Sequence, residues 1–335
     1  MELIYPDYYH KFHCLAGACP DSCCKDWAVV IDEDSAQRYR TLSGELGDAL
    51  RNALTREDDD LILQLRPDGR CPMWRDDGLC RIHAQQGEDW LCDTCRDFPR
   101  LRHDYGSFVE LGLELSCPEA AQLILSADRY RTKQELLPGG DDSDYDEEAM
   151  DILLRSREVI LTFLNETSMS VGDALAVMLL YSYDVQAELD GGDPAQLHPE
   201  SALSAARSIA QPSSTKALLD YHKGLEILTP QWRKLLDAPC PVPWSREHLA
   251  MARYFVARYW LQAVSDWDLV SRVKLCLCAC LTVKYVGGDI SRTAQLYSKE
   301  IENDAENTCA ILDAAFSSPA LADVYLLGLL LKEEM

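Results

Sequence analysis

FHCLAGACPDSCCKDW, Phe12 to Trp27, is the stretch on which the reading of this chain turns. Four thiols, Cys14, Cys19, Cys23 and Cys24, fall within eleven residues, and Gly17 and Pro20 let the backbone wrap around an ion or cluster. Two more groups follow. Cys71-Pro72 leads to Cys80, and Cys92-Asp93-Thr94-Cys95 is a CxxC pair whose two sulfurs can converge on one metal. Cys117 completes the set. Nine of the chain's 14 cysteines thus precede residue 118. Thiolate is a soft donor suited to iron–sulfur clusters and zinc, and four sulfurs saturate one such centre. Nine exceed one site, so either there are two centres or some thiols have another role. Adjacent Cys23 and Cys24 are hard to place on one small ion, because neighbouring side chains diverge.

Charge narrows the function classes. Acidic side chains number 56 against 32 basic ones, a net charge of −24. That field repels phosphate backbones, so nucleic acid is excluded as a partner and a basic or lysine-bearing protein is favoured. Met1–Phe12 shows neither the basic nor the apolar region of a signal peptide. No apolar run approaches the ~18 residues of a membrane span. The expectation is a cytoplasmic protein with no transmembrane segment, whose clustered thiols bind metal rather than pair as disulfides.

The pattern predicts a mostly α fold: a loop-rich, cysteine- and metal-binding N-terminal domain (1–137), an acidic linker (138–148) and a helical C-terminal domain (149–335). In the first part, Asp34–Leu54 reads as one or two helices with Asp32 or Asp34 as N-cap. Asp60–Arg66 reads as a strand, and a helix starts at Pro118. Beyond the linker, apolar residues recur at three- and four-residue steps from Met150 to Leu164, and Ser170 caps a second helix. Further helices are expected at Ser201–Gln211, Ser214–Leu228, Arg246–Ser265, Asp268–Val286, Ile290–Asn303 and Pro319–Glu333. Cys276, Cys278 and Cys280 lie in an apolar helix and read as buried small hydrophobes. Cys240 and Cys309 read as structural. Tyr254, Phe255, Tyr259 and Trp260 read as helix-packing core. His83 is a weaker ligand candidate, and Arg70, Arg75, Arg81, Arg96, Arg100 and Arg102 are placed to stabilise thiolates.

Several of these stretches are similar to a known family. Cys19…Cys23-Cys24, Cys71-Pro72, Cys80 and Cys95-Arg96-Asp97-Phe98-Pro99 resemble the cysteine-cluster family described as zinc- or iron-chelating. Phe12-His13-Cys14, Asp21-Ser22-Cys23-Cys24-Lys25-Asp26-Trp27, Asp77-Gly78-Leu79-Cys80-Arg81-Ile82-His83, Leu91-Cys92-Asp93-Thr94-Cys95 and Leu115-Ser116-Cys117-Pro118-Glu119-Ala120-Ala121 resemble the flagellin lysine-N-methylase family. The resemblance implies a [4Fe-4S] cluster and S-adenosylmethionine-dependent N-methylation of protein lysines, with flagellin as a possible substrate. It does not come with a usual cofactor motif: there is no GxGxxG turn between a strand and a helix and no CxxxCxxC triplet. No catalytic base or cofactor-binding residue is assigned. Zinc is the alternative metal. The alternative functions are a zinc-stapled interaction or scaffold protein, and a redox or iron-handling cysteine-cluster protein.

Overall fold

The computed structural model describes residues 1–27, 29–57, 59–139 and 145–332. The centre of the acidic linker, 140–144, lies outside the described residues. The fold is mostly helical, as expected. In the first part the helices are α1 (Glu33–Thr41), α2 (Gly44–Ala53), α3 (Arg81–Gln86), α4 (Asp93–Asp97) and α5 (Pro118–Leu125). After the linker come α6 (Glu147–Glu166), α7 (Val171–Leu189), α8 (Pro199–Ile209), α9 (Thr215–Gly224) and α10 (Pro230–Asp237). The last five are α11 (Arg246–Tyr259), α12 (Leu269–Val286), α13 (Ile290–Ile301), α14 (Ala305–Ala314) and α15 (Asp323–Leu330).

Capping explains many of the starts. Asp32 accepts the Ser35 amide at 2.8 Å to open α1, and Asp146 accepts the Ala149 amide at 2.9 Å to open α6. The acidic end of the linker is therefore the lead-in to a helix, where negative charge favours the N-terminus. Ser170 accepts the Asp173 amide at 3.1 Å, as its position predicts. Four helices, α3, α4, α10 and α14, were not expected from sequence, because each is short and buries few residues.

Strands are where the sequence reading fell shortest. β1 (Glu2–Pro6), β4 (Arg100–Asp104), β5 (Phe108–Leu113) and β6 (Thr132–Leu136) form a sheet in the order β4-β5-β1-β6. β1 runs parallel to β5, with Glu2 opposite Phe108, and antiparallel to β6. β6 reads TKQEL and is exposed throughout, so it carries no alternating signal to find. β2 (Leu54–Glu57) and β3 (Asp60–Leu63) form a hairpin in which β3 is the strand expected at Asp60.

Packing groups the chain differently from composition. The larger apolar core joins Tyr8, Phe12, Phe108, Leu113 and Cys117 to the helices of the second half. A smaller core holds only residues between Val29 and Cys92, chiefly Tyr39, Leu46, Leu50, Leu63, Met73 and Ile82. At the centre of the larger one, every residue of α12 is buried, its apolar side chains facing all round and its cations Arg272, Lys274 and Lys284 partnered by Asp266, Asp323 and the Val242 carbonyl. Cys276, Cys278 and Cys280 are buried there as expected, with the Cys276 and Cys280 sulfurs against the Ala252 and His248 carbonyls. Cys240 and Cys309 are instead exposed, so they contribute nothing to packing. No helix among the described residues is long and apolar enough to cross a membrane.

Two buried histidines make stability pH-dependent. Burial holds His222 and His248 down at about 4 each, below the ordinary 6.5. A lowered histidine contributes stability that is complete above pH 6.5 and is lost as pH falls towards 4. The loss is roughly 3 kcal/mol per histidine. Glu300 opposes it, because burial raises its carboxyl to about 7 and protonation below that pH favours the fold. Two histidines against one carboxyl leave a net loss. The unfolding free energy from urea titrations should therefore fall by about 2 kcal/mol between pH 6.5 and 4.5, and His222→Gln should shrink that fall. A midpoint independent of pH across this window would contradict the assignment.

Candidate metal centre

Each cysteine owes its place to a local device. In the first loop, Asp26 stands at φ 65° and Gly69 at φ 78°, and the Asp26 amide donates to the Gly69 carbonyl at 2.9 Å. The Cys71 amide then donates to the Cys24 carbonyl at 2.8 Å, which brings these two residues side by side. The 15–18 turn lies on the 76–79 turn so closely that a Cβ on Gly17 would stand 2.9 Å from the Asp77 carbonyl oxygen. Only glycine fits there. Cys80, Cys92 and Cys117 each occupy the N-cap of a helix, α3, α4 and α5 respectively. Asp32, besides capping α1, accepts the Asp93 amide at 2.9 Å and ties α4 to the small core.

These devices gather all nine predicted sulfurs into one electrostatic network. Cys14, Cys19, Cys23 and Cys117 feel one another's charge. Cys24, Cys71, Cys80, Cys92 and Cys95 form the second set. The adjacent pair joins them: Cys23 and Cys24 share a hydrogen bond, and Cys95 senses both. All 14 cysteines are free thiols.

Their acidities split by environment. Burial pushes Cys71 up to about 12 and Cys117 up to about 11, and it raises Cys19 and Cys80 as well. The bond from Cys23 lowers Cys24 to about 7, and the bond from Cys95 lowers Cys92. Backbone amides add donors: Met73 points at the Cys71 sulfur at 3.4 Å and Ala16 at the Cys14 sulfur at 3.4 Å. The Cys80, Cys92 and Cys117 sulfurs accept amides from the first turns of their own helices. Such bonds favour thiolate over thiol.

The donor set therefore fits a soft metal: free thiols, three buried, three half-buried and three exposed, supplied with amide donors and drawn from four separate stretches of chain. It is gathered rather than closed. Among the described residues no three His, Cys, Asp or Glu side chains already stand in an arrangement that holds an ion.

The arginines named from sequence do not serve the thiols. Arg75 is paired with Asp77, Arg81 with Glu45, Arg96 with Asp93 and Asp97, and Arg102 with Asp104. Arg70 reaches Asp68, and Arg100 lies over the Phe12 ring. The cations beside the loop are Lys25 and, from the far end of the chain, Arg292 and Lys299 on α13, all directed at buried Asp21. About 270 positions separate Asp21 from α13, so no local pattern could reveal this pairing.

A second buried polar set was also missed. Arg258 lies 3.5 Å from Glu114 and 3.2 Å from Glu302, while Tyr254 and Tyr259 donate to Glu302 at 3.0 and 2.9 Å. The aromatic stripe of α11 is core, as expected, but its hydroxyls serve this charge cluster. Burial raises the Glu114 carboxyl; Arg258 works against that rise and Glu302 adds to it.

Three known proteins are similar to part of this chain. The chain is 31% identical over 133 residues to the flagellar biosynthetic protein FliU of Salmonella muenchen, a match covering 36% of this chain and 75% of FliU. It is 31% identical over 133 residues to the lysine-N-methylase of Salmonella typhimurium and 32% identical to that of Salmonella choleraesuis. Each of these matches covers 36% of this chain and 32% of the relative, so the chain spans about a third of the two methylases it matches. No family model and no solved structure matches. Identity at this level across three quarters of FliU is enough for assignment: the chain belongs to the family of FliU and the lysine-N-methylases.

Proposed function

We propose that this protein is an S-adenosylmethionine-dependent protein-lysine N-methyltransferase with an iron–sulfur centre held by its N-terminal cysteines, acting on a lysine-bearing protein such as flagellin. One observation carries the metal part: nine free thiols in one network, five of them accepting backbone amides. Hydrogen bonds of this kind tune sulfur ligands in iron–sulfur proteins. The names of the relatives support the methyl-transfer part. The ligands would come from Cys24, Cys71, Cys80, Cys92 and Cys95, with Cys14, Cys19, Cys23 and Cys117 beside them. A bound cluster would supply Lewis-acid or electron-transfer chemistry.

The chain's own residues would prepare the acceptor. A lysine amine has an ordinary pKa near ~10.4 and must lose its proton before it can take a methyl group. Desolvation of the amine at the site would favour that loss. Net charge of −24 steers a basic substrate towards the protein. An open cleft of about 630 Å³, bordered by Asp7, Lys11, Asp128, Arg129 and Arg131, has the volume of a nucleoside-sized ligand and both charges that S-adenosylmethionine presents.

Oxygen-free purification followed by iron and sulfide analysis tests the centre, and a +14 Da shift on flagellin incubated with S-adenosylmethionine tests the transfer. A brown protein that methylates is the expected result. A colourless protein with stoichiometric zinc and no mass shift would replace this reading with a zinc-stapled interaction protein.

A further inference from the structure

The helical half does more than adjoin the cysteine loops. Three residues on one face of α13, Arg292, Gln295 and Lys299, follow i, i+3, i+7 spacing and all reach the loop that carries Cys19, Cys23 and Cys24. Their shared target is Asp21, whose side chain is 3% exposed. Its carboxylate receives Arg292 at 3.2 Å, Gln295 at 3.1 Å, Lys299 at 3.4 Å and Lys25 at 3.1 Å. Lys299, itself 4% exposed, also reaches Asp26 at 3.4 Å. The Gln295 amide has a second partner, the Ser116 carbonyl at 2.6 Å, one residue before Cys117.

We infer that this face of α13 is a clamp that sets the Cys19–Cys24 loop against Cys117 and supplies counter-charge to the thiolate centre, with Asp21, Gln295 and Lys299 as its positioning residues. The inference rests on the metal-centre reading above.

Two features separate this from simple docking. A single hydrogen bond would anchor a loop, yet Asp21 collects four donors, and Gln295 spans both cysteine-bearing segments. The charges also do not balance locally. Lys25, Arg292 and Lys299 face Asp21 and Asp26, one cation more than the two carboxylates; Lys299 is the buried one, while the Lys25 and Arg292 side chains are 25% and 38% exposed. A cation in excess of its carboxylate partners favours a neighbouring anion, and a thiolate set is that anion.

The test has two arms. In metal-free protein under reducing conditions, the rate at which iodoacetamide modifies Cys19 and Cys23 is followed by mass spectrometry. Gln295→Ala and Asp21→Asn should raise it at least fivefold while modification of Cys309, remote and exposed, stays constant. In protein reconstituted with ferrous iron and sulfide, Lys299→Met should retain at least threefold less iron per chain or shift the cluster's reduction potential to more negative values. Lys299→Arg should restore both. If the wild type takes up no iron, the metal-centre reading fails and the alkylation arm alone judges the clamp. Unchanged alkylation in Gln295→Ala and Asp21→Asn overturns the clamp, and unchanged loading and potential in Lys299→Met overturn its electrostatic role.

Discussion

Replacing Arg258 by methionine is expected to lower the stability of the protein by about 3–5 kcal/mol, a large part of the 5–15 kcal/mol a domain of ordinary stability has to lose. The reason is what remains behind. Glu302 has a fully buried side chain and Glu114 one that is 17% exposed, and both carboxylates face the guanidinium. Arg258 also donates to the Tyr254 hydroxyl at 2.6 Å and lies over the Tyr259 ring. Methionine replaces the stem but none of the charge. Two buried carboxylates then share a site without a cation, and one must take up a proton at neutral pH. The deficit should therefore shrink as pH falls towards 5, and Arg258→Met combined with Glu302→Gln should recover more than half of it. Chemical denaturation at pH 5 and pH 7.5 reads both effects. A loss below ~1 kcal/mol at pH 7.5 would place this cluster with exposed ion pairs rather than buried ones.

Removing metal is expected to have the second large effect, confined to one part of the molecule. The smaller core contains about a dozen buried residues, two of them Cys71 and Cys92. A core of that size rarely supplies more than ~3–5 kcal/mol, and small units of this kind depend on a metal or disulfide staple. No disulfide is present. Chelation, or Cys24→Ser at the junction of the two thiol sets, should leave the helical half folded and loosen the 24–97 region. Hydrogen exchange should show protection of α1, α2 and the β2–β3 hairpin falling at least tenfold, with α12 unchanged. Cys278→Ser, buried in α12, should leave metal content as it is. Equal protection of both regions with and without metal would show that the small core holds by itself.

How much of this was legible in sequence follows from the range of each interaction. The nine cysteines stood out because soft donors clustered at CC and CxxC spacing are local chemistry. Helix starts at Glu33 and Val171 were legible because a cap and its amide lie within three residues, and the start at Pro118 because proline suits the first helical position. β1, β5 and β6 were not, since β1 pairs with β5 and β6 across more than a hundred residues and β6 is polar and exposed; β4 pairs with β5 locally, from Asp104 opposite Val109 to Arg100 opposite Leu113, and was missed as well. The arginines among the cysteines drew attention by proximity in sequence, yet nearby aspartates neutralise most of them.

Sequence alone determined the donor chemistry, the acidic field and the helical character, because each depends on residue type and on spacings shorter than one or two turns. Tertiary structure alone decided which charges meet the thiols. Asp21 finds Arg292 and Lys299, and Arg258 finds Glu114 and Glu302, only after the chain has folded α11 and α13 against the cysteine loops. A buried charge takes its partner from whatever the packing brings within a few ångströms, and chain distance does not encode that.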